Sequence, residues 1–298
     1  METRFELIVP PDAAKMRLED YLLDEFAAVS KMYLRELVKS ERCEVNGRYE
    51  NVGYRLRPND LVEIWMDETR GTAMRPEKLN LDILFEDAEI AVVNKPAGML
   101  VHPSHRENRG TLLNGLVWHF NEQASIDVRT KTVRPGLIHR LDKQTSGLLV
   151  VAKTARAHRI VSGHFMKKRV EKRYLALVEG IVSDDEGVID APIGRFAELK
   201  HWSVKEDGKH SRSHFWVRDR RADTTLLELE PVTGRTNQLR IHCELIGHPI
   251  VGDVKRGGRN VPRLYLHAVK LAFPHPTTNR NMRFESEPKF PLLTGCAR

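Results

Sequence analysis

The chain has 298 residues, a formal charge of +7, a pI near 9.3 and a mean hydropathy of −0.44. No apolar run approaches the ~20 residues that a membrane helix needs and no cleavable leader follows Met1, so a soluble, cytoplasmic protein is expected, neither membrane-bound nor exported. Three widely spaced cysteines, Cys43, Cys243 and Cys296, argue against a disulfide framework or paired zinc ligands. A Gly-rich phosphate loop is also missing, so neither a metal nor a cofactor is expected.

Residues from about 15 to 65 read as a compact unit. Leu18, Tyr21, Leu22 and Phe26 share one side of a first helix. Ser30 can cap a second helix running through Lys39, with Leu34, Leu37 and Val38 on its inner face. A strand from Cys43 then enters an Asn46-Gly47 hairpin turn, and Leu61–Trp65 follows the turn Pro58-Asn59-Asp60. Lys31, Arg35, Lys39 and Arg42 recur every three or four residues and are expected on the outer face of the second helix. Such a stripe is more often a solvated face than a binding surface. Here the order helix–helix–strand–Val-Asn-Gly–strand resembles the small RNA-binding module shared by ribosomal small-subunit protein four and tyrosyl-tRNA synthetases. That resemblance implies that the stripe contacts RNA backbone. Glu36, Glu41 and Glu44 set an acidic load against it, so the expected grip is weak and orienting.

Residues 66–79 lack apolar periodicity and read as a linker between a domain of residues 1–65 and one of residues 80–298. Charge divides the same way. Residues 1–75 hold 12 Lys and Arg against 15 Asp and Glu, the remainder 36 against 26. The positive field, and with it a polyanionic partner, belongs to the larger part. There, short β-like runs dominate: Glu89–Asn94, Gly147–Ala152, Tyr174–Glu179, His214–Val217, Leu226–Glu230 and Tyr265–Phe273. Helices are expected near Ala155–Lys168 and Asn237–Ile246, and Asp207-Gly208 predicts a hairpin between Trp202–Lys205 and Arg212–Val217. The fold class is therefore α+β, on a mixed, mostly antiparallel sheet.

The run His139-Arg140-Leu141-Asp142-Lys143-Gln144-Thr145-Ser146-Gly147 sets one carboxylate in a turn, crowded by cations and followed by a buried strand. A lone acid there is ordinarily a turn cap. At a loop–strand junction among cations it also suits an ionised nucleophile. Three further stretches accompany it: Val92–Pro103, Lys172–Val178, and Thr233–His242 continued by Gly247–Asp253. Together the four, in this order, resemble the motifs of RluA-type pseudouridine synthases, from about residue 90 to about residue 250.

The resemblance implies that RNA is the partner and uridine isomerisation the reaction, on a mixed sheet crossed by the active-site cleft. It assigns Asp142 as the catalytic residue, Tyr174 as the active-site tyrosine and Arg240 as the cation paired with Asp142. Arg140 would brace the gap left by a flipped base, since uracil must leave its stack at a cost of a few kcal/mol. Arg235 matches the third motif, His139 is the more doubtful RNA contact, and Lys95 shapes the cleft wall or reaches phosphate. The chain departs from the pattern at Asn237, where His is usual; Asn cannot titrate, which removes a general base there. The two-domain build resembles the family's large-subunit ribosomal RNA enzymes more than its smaller single-domain members, with transfer RNA as the alternative target, and a monomer is expected. A glycosidase normally needs two opposed carboxylates, and no second acid opposes Asp142. A non-catalytic RNA-binding or ribosome-assembly protein is the remaining rival, and it gives no reason to carry Asp142, Tyr174 and Arg240 together.

Overall fold

The computed structural model describes residues 2–26, 29, 31–67, 76–104, 107–121, 133–196, 198, 201–288 and 290. Ser30, Cys296 and residues 68–75 of the expected linker lie outside the described residues. The chain divides into two compact units, Met1–Asn80 with His102–Pro135, and Leu81–Val101 with Gly136–Arg298. The second expected domain is thus interrupted: residues 102–135 cluster with the N-terminal part. Local bonding gives the reason, because the Glu77 amide donates to the Asn114 carbonyl and its carboxylate accepts from the Gly110 amide. Among the described residues no helix is long and apolar enough to cross a membrane.

In the first unit the elements are β1 (Glu2–Ile8), α1 (Leu18–Glu25), α2 (Lys31–Lys39), β2 (Cys43–Val45), β3 (Arg48–Tyr49) and β4 (Leu61–Asp67), followed by α3 (Leu112–Phe120). The four strands form one antiparallel sheet in the order β1-β4-β2-β3. Leu18, Tyr21, Leu22, Phe26, Leu34 and Val38 are buried, as the helical spacing predicts, and Phe26 meets Phe5 of β1 edge to face at 5.3 Å. Asn46 and Gly47 both adopt positive φ (52° and 72°), the geometry of a tight hairpin. Asn46 also ties two turns together, donating to Asp60 and accepting from the Leu61 amide. β1 and α3 were not anticipated. β1 buries only Phe5 fully, with Leu7 packed beside it, and its exposed Ile8 breaks the apolar alternation.

The second unit holds β5 (Ile83–Glu86), β6 (Ile90–Lys95), β7 (Gly136–Leu137), β8 (Ser146–Ala152), α4 (Ala155–Met166), β9 (Glu171–Glu179), β10 (Glu186–Asp190), β11 (Ile193–Phe196), β12 (His201–Val204), β13 (Arg212–Arg220), β14 (Thr224–Pro231), α5 (Gln238–Leu245), β15 (Leu266–Pro274) and β16 (Asn281–Glu285). Ten strands make one sheet whose main path is β10-β13-β14-β9-β15-β8-β6-β5. Only the β15–β8 pairing is parallel, so the sheet is mixed and mostly antiparallel. β8 is buried on both faces, which explains its unbroken apolar run. At its start Gly147 has φ +114°, and a Cβ there would stand 2.4 Å from the Ala268 carbonyl oxygen, so the close approach to β15 demands glycine. The expected hairpin at Asp207-Gly208 is corrected. The turn exists, with the Gly208 amide on the Lys205 carbonyl, but β12 pairs with β11. Lys209 and Ile193 exchange both backbone hydrogen bonds, which folds the turn back onto β11 and leaves β13 to β10 and β14.

Candidate active site

The second unit contains a cleft of about 570 Å³ lined by Arg140, Asp142, Tyr174, Arg235 and Arg240, with His139 in its wall. Three motifs that lie far apart in sequence therefore meet. Asp142 comes from the loop that enters β8, and its carbonyl accepts from the Thr145 amide at 3.1 Å. Tyr174 stands on β9, opposite Leu229 of β14 and Ala268 of β15, near the middle of the sheet. Arg235 and Arg240 flank the N-terminus of α5.

Burial pushes the Asp142 carboxyl above the usual carboxylate range. Arg240, Arg140, Lys95 and Arg256 pull the other way, in that order, and only partly offset it. Burial also holds the Tyr174 phenol up, with the charge of Asp142 adding to the effect. The two side chains thus feel one another across the cleft, and the phenol is neutral at physiological pH.

The expected contact pair between Asp142 and Arg240 is corrected. Arg240 gives its Nε and Nη2 to the two oxygens of Asp253 at 2.6 and 2.7 Å, and its Nη1 to Asn237 Oδ1 at 2.9 Å. Among the described residues the Asp142 carboxylate has no hydrogen bond and no ion pair within 4.0 Å. Arg240 supports Asp142 through space. Asp253 closes the third motif, and its sequence alone gives it no role. Its signal was an acid in the otherwise apolar and glycine-rich stretch around Gly252, but its partner lies 13 residues away and only the fold brings them together.

Lys95 also moves out of the RNA-binding set. It is 1% exposed, and its Nζ donates to the carbonyls of Pro96 and Met99 at 2.8 Å and of Lys143 at 3.3 Å. Burial lowers its pKa to about 8, against the raising effect of Asp142. No phosphate can reach it. Its work is to fasten the turn after β6 to the loop that carries Asp142, a link that the Gly98 amide repeats by donating to the Lys143 carbonyl.

His139 is likewise architectural. β15 pairs with β8 only at Ser146 and Gly147, and β7 only at Val151 and Ala152, so the Val150 amide between them needs another acceptor. His139 Nε2 supplies it at 3.1 Å, which requires the neutral ring with its proton on Nδ1. Stacking on Phe165 at 4.7 Å fixes the ring, and burial lowers its pKa to about 3, Lys172 adding to the shift.

Arg140 is exposed at the rim with no hydrogen-bond partner among the described residues, free to meet a ligand. Arg235 is exposed as well, with its Nε on the His210 carbonyl at 3.1 Å. Gln238 below it is fully engaged, accepting from Thr233 and the Arg235 amide and donating to Arg212 O and Ser213 Oγ. It sets the wall of the cleft.

Lys31, Arg35, Lys39 and Arg42 belong to the first unit. Three of them are already engaged within it: Lys31 with Glu19 and Asp20, Arg35 with Glu19 at 2.8 Å, and Arg42 with Glu2. α2 ends at Lys39, so Arg42 sits beyond the helix. The stripe is half-exposed and partly neutralised.

A family model described as RNA pseudouridylate synthase matches residues 89–245. An uncharacterised RNA pseudouridine synthase of Bacillus subtilis is 39% identical over 274 residues, 91% of this chain and 89% of its own length. The ribosomal large subunit pseudouridine synthase D of Pseudomonas aeruginosa is 36% identical over 304 residues, covering 93% of this chain and 90% of that one. Among solved structures, human RNA pseudouridylate synthase domain containing 1 is similar, with a TM-score of 0.59 and 28% identity, covering 73% of this chain and 85% of the human one.

Proposed function

The chain belongs to the RNA pseudouridylate synthase family, and from that premise we propose that it isomerises uridines of large-subunit ribosomal RNA with Asp142 as the nucleophile. Its activity is that of an RNA pseudouridine synthase, an isomerase. The bond from ribose to the uracil nitrogen breaks, the base turns, and a bond to carbon forms. The carbon loses a proton and the nitrogen gains one, so atoms balance without an external reagent.

The observation that carries the assignment of Asp142 is its setting. One carboxylate sits in a cleft with four cations acting on it and none bonded to it. The cations offset part of the cost of burying the anion, and its oxygens stay available for attack. Tyr174 faces it as the ring on which uracil stacks, an interaction of roughly 1–3 kcal/mol per base. Arg140, at the rim and unengaged, fills the gap left by the flipped nucleotide. The ribosomal target is argued from the names of relatives such as the Pseudomonas aeruginosa enzyme. The first unit, with its two helices and Asn-Gly hairpin, serves in this reading as an S-four-like module that touches RNA backbone through α2.

Two measurements test the proposal. Asp142→Asn, which is nearly isosteric, should abolish pseudouridine formation while leaving folding and RNA binding close to normal; turnover by a pure preparation of the variant removes Asp142 from the role. Pseudouridine maps of RNA from cells with and without the protein should differ in large-subunit ribosomal RNA. A difference confined to transfer RNA moves the substrate there.

A further inference from the structure

We propose that the turn between α4 and β9, Met166 to Arg169, is a binding lip for the RNA strand beside the flipped uridine. Lys168 takes a backbone phosphate and Met166 packs on the neighbouring base. The inference rests on RNA entering the cleft of Asp142, as the proposed function has it.

The backbone supplies the first observation. α4 ends in a tight reversal, with the Lys167 amide on the Gly163 carbonyl at 3.0 Å and the Arg169 amide on the His164 carbonyl at 2.9 Å. Lys168, between them, has a φ of 54°. The residue with positive φ just past a helix is ordinarily glycine, because a Cβ is crowded there. The bonds of the turn are made by amides, which glycine would supply equally well. Lysine strains the backbone at this place, and what it adds is its side chain.

That side chain lines the cleft, together with Phe165, Met166 and Lys172. Met166 is 80% exposed. Lys167, Lys168 and Arg169 are exposed too, and among the described residues none of their side chains has a hydrogen bond or an ion pair. Further in, Lys172 stands two residues before Tyr174 on the same face of β9, about 7 Å along the strand. Its Nζ lies 5.9 Å from the centre of the Phe165 ring. The acid that acts on it, Glu230, is engaged by Arg173 at 2.9 Å. A positive track therefore runs from the lip toward the ring on which uracil stacks.

Elsewhere in this unit cations are matched with acids. Arg173, Arg212, Arg218, Arg220, Arg256 and Arg259 each hold an Asp or Glu. On α2 of the first unit, Lys31, Arg35 and Arg42 do the same. Three consecutive cations without acids, at the mouth of the cleft, leave a local field for phosphates to neutralise. Such contacts fix the strand in place and do not read its sequence. One exposed apolar side chain means little on an open surface. Methionine beside these cations has a definite use, because it is flexible and polarisable and an apolar side chain can lie against a base whose stack has been opened.

The test uses the full chain, with unmodified RNA extracted from cells lacking the protein. Lys168→Gly suits the left-handed turn better than the native residue, so chemical denaturation should show stability equal to or above that of the wild type. KM should nevertheless rise about tenfold while kcat holds, the loss of one hydrogen bond to a charged group. The slope of log affinity against log salt should become shallower by about 0.7, one phosphate of a single strand. Lys168→Arg keeps both the strain and the charge, and should retain the wild-type KM and slope. Met166→Ala should raise KM with the slope unchanged, because its contact is apolar. Wild-type KM and slope in Lys168→Gly overturn the lip, as do a loss confined to kcat, a drop in stability, or a defect that Lys168→Arg shares. An unchanged KM for Met166→Ala overturns the base contact. Turnover by Asp142→Asn sinks the nucleophile reading instead, and affinity and salt slope still decide the lip.

Discussion

Lys95 shows how much a single side chain of this site is spent on holding the loop. Sealed at 1% exposure, its ammonium serves three backbone carbonyls and its pKa falls to about 8, mainly through burial. The unfolded chain keeps the ordinary value of about 10.4. Between these values the unfolded state binds more protons than the folded one, so stability from this group rises with pH and is lowest below 8. The wild type should therefore gain stability relative to Lys95→Met between pH 8 and pH 10, by a few kcal/mol at most. Chemical denaturation at the two pH values checks it, and parallel curves for the two proteins would remove Lys95 as the source. Arg240 makes a second prediction at this scale. Arg240→Met strands the buried Asp253 and should cost ~3–5 kcal/mol. Adding Asp253→Asn should recover more of that loss than adding Asp142→Asn does, since only Asp253 is hydrogen-bonded to Arg240. Thermal shifts across both cycles decide which acid is the partner.

The second helix illustrates what an element's own sequence can and cannot reveal. Its apolar face was legible because Leu34, Leu37 and Val38 obey a local period, and all three are buried. Its basic face was legible as a stripe, yet not as a neutralised one. Glu19 on α1 lies 12 residues before Lys31, and only the packing of the two helices brings it against Lys31 and Arg35. The same limit governs the site. The loop of Asp142, the strand of Tyr174 and the helix of Arg240 each announce themselves locally, but the Arg240–Asp253 pair does not. β1 escaped because only Phe5 and Leu7 mark its inward face, while the exposed Ile8 on the outward face breaks the apolar alternation, its stability coming from register with β4. The helix face yields its own prediction. Glu19→Gln, at a residue 7% exposed, should release Arg35 for phosphate and leave Lys31 with Asp20 alone, with little change of shape. RNA affinity at low salt should rise, and the slope of log affinity against log salt should steepen by roughly 1–2. An unchanged slope would mean that α2 does not meet the RNA backbone.

For the molecule as a whole, the proposed reading assigns chemistry to one unit and RNA grip to the other. Every cleft residue lies in the unit formed by Leu81–Val101 and Gly136–Arg298, and that part of the chain also carries the excess of positive charge. Removing residues 1–70 should therefore leave a protein that still turns over short, loosely folded RNA. The cut is not clean, however, because residues 102–135 belong to the unit being removed. α3 would keep its own cap, with Thr111 and Asn114 bonded reciprocally, and Asn121 would still hold Val133. Arg134 would lose both the Val29 carbonyl and the charge of Asp24. Lower thermal stability and some self-association are expected for that reason. Binding to the structured natural target should weaken and its salt dependence become shallower, since backbone contacts position an RNA without reading its sequence. Multiple-turnover rates at low enzyme concentration separate the two effects. A truncated protein that stays monomeric and modifies the full-length target as fast as the intact chain would show that the first unit contributes no grip.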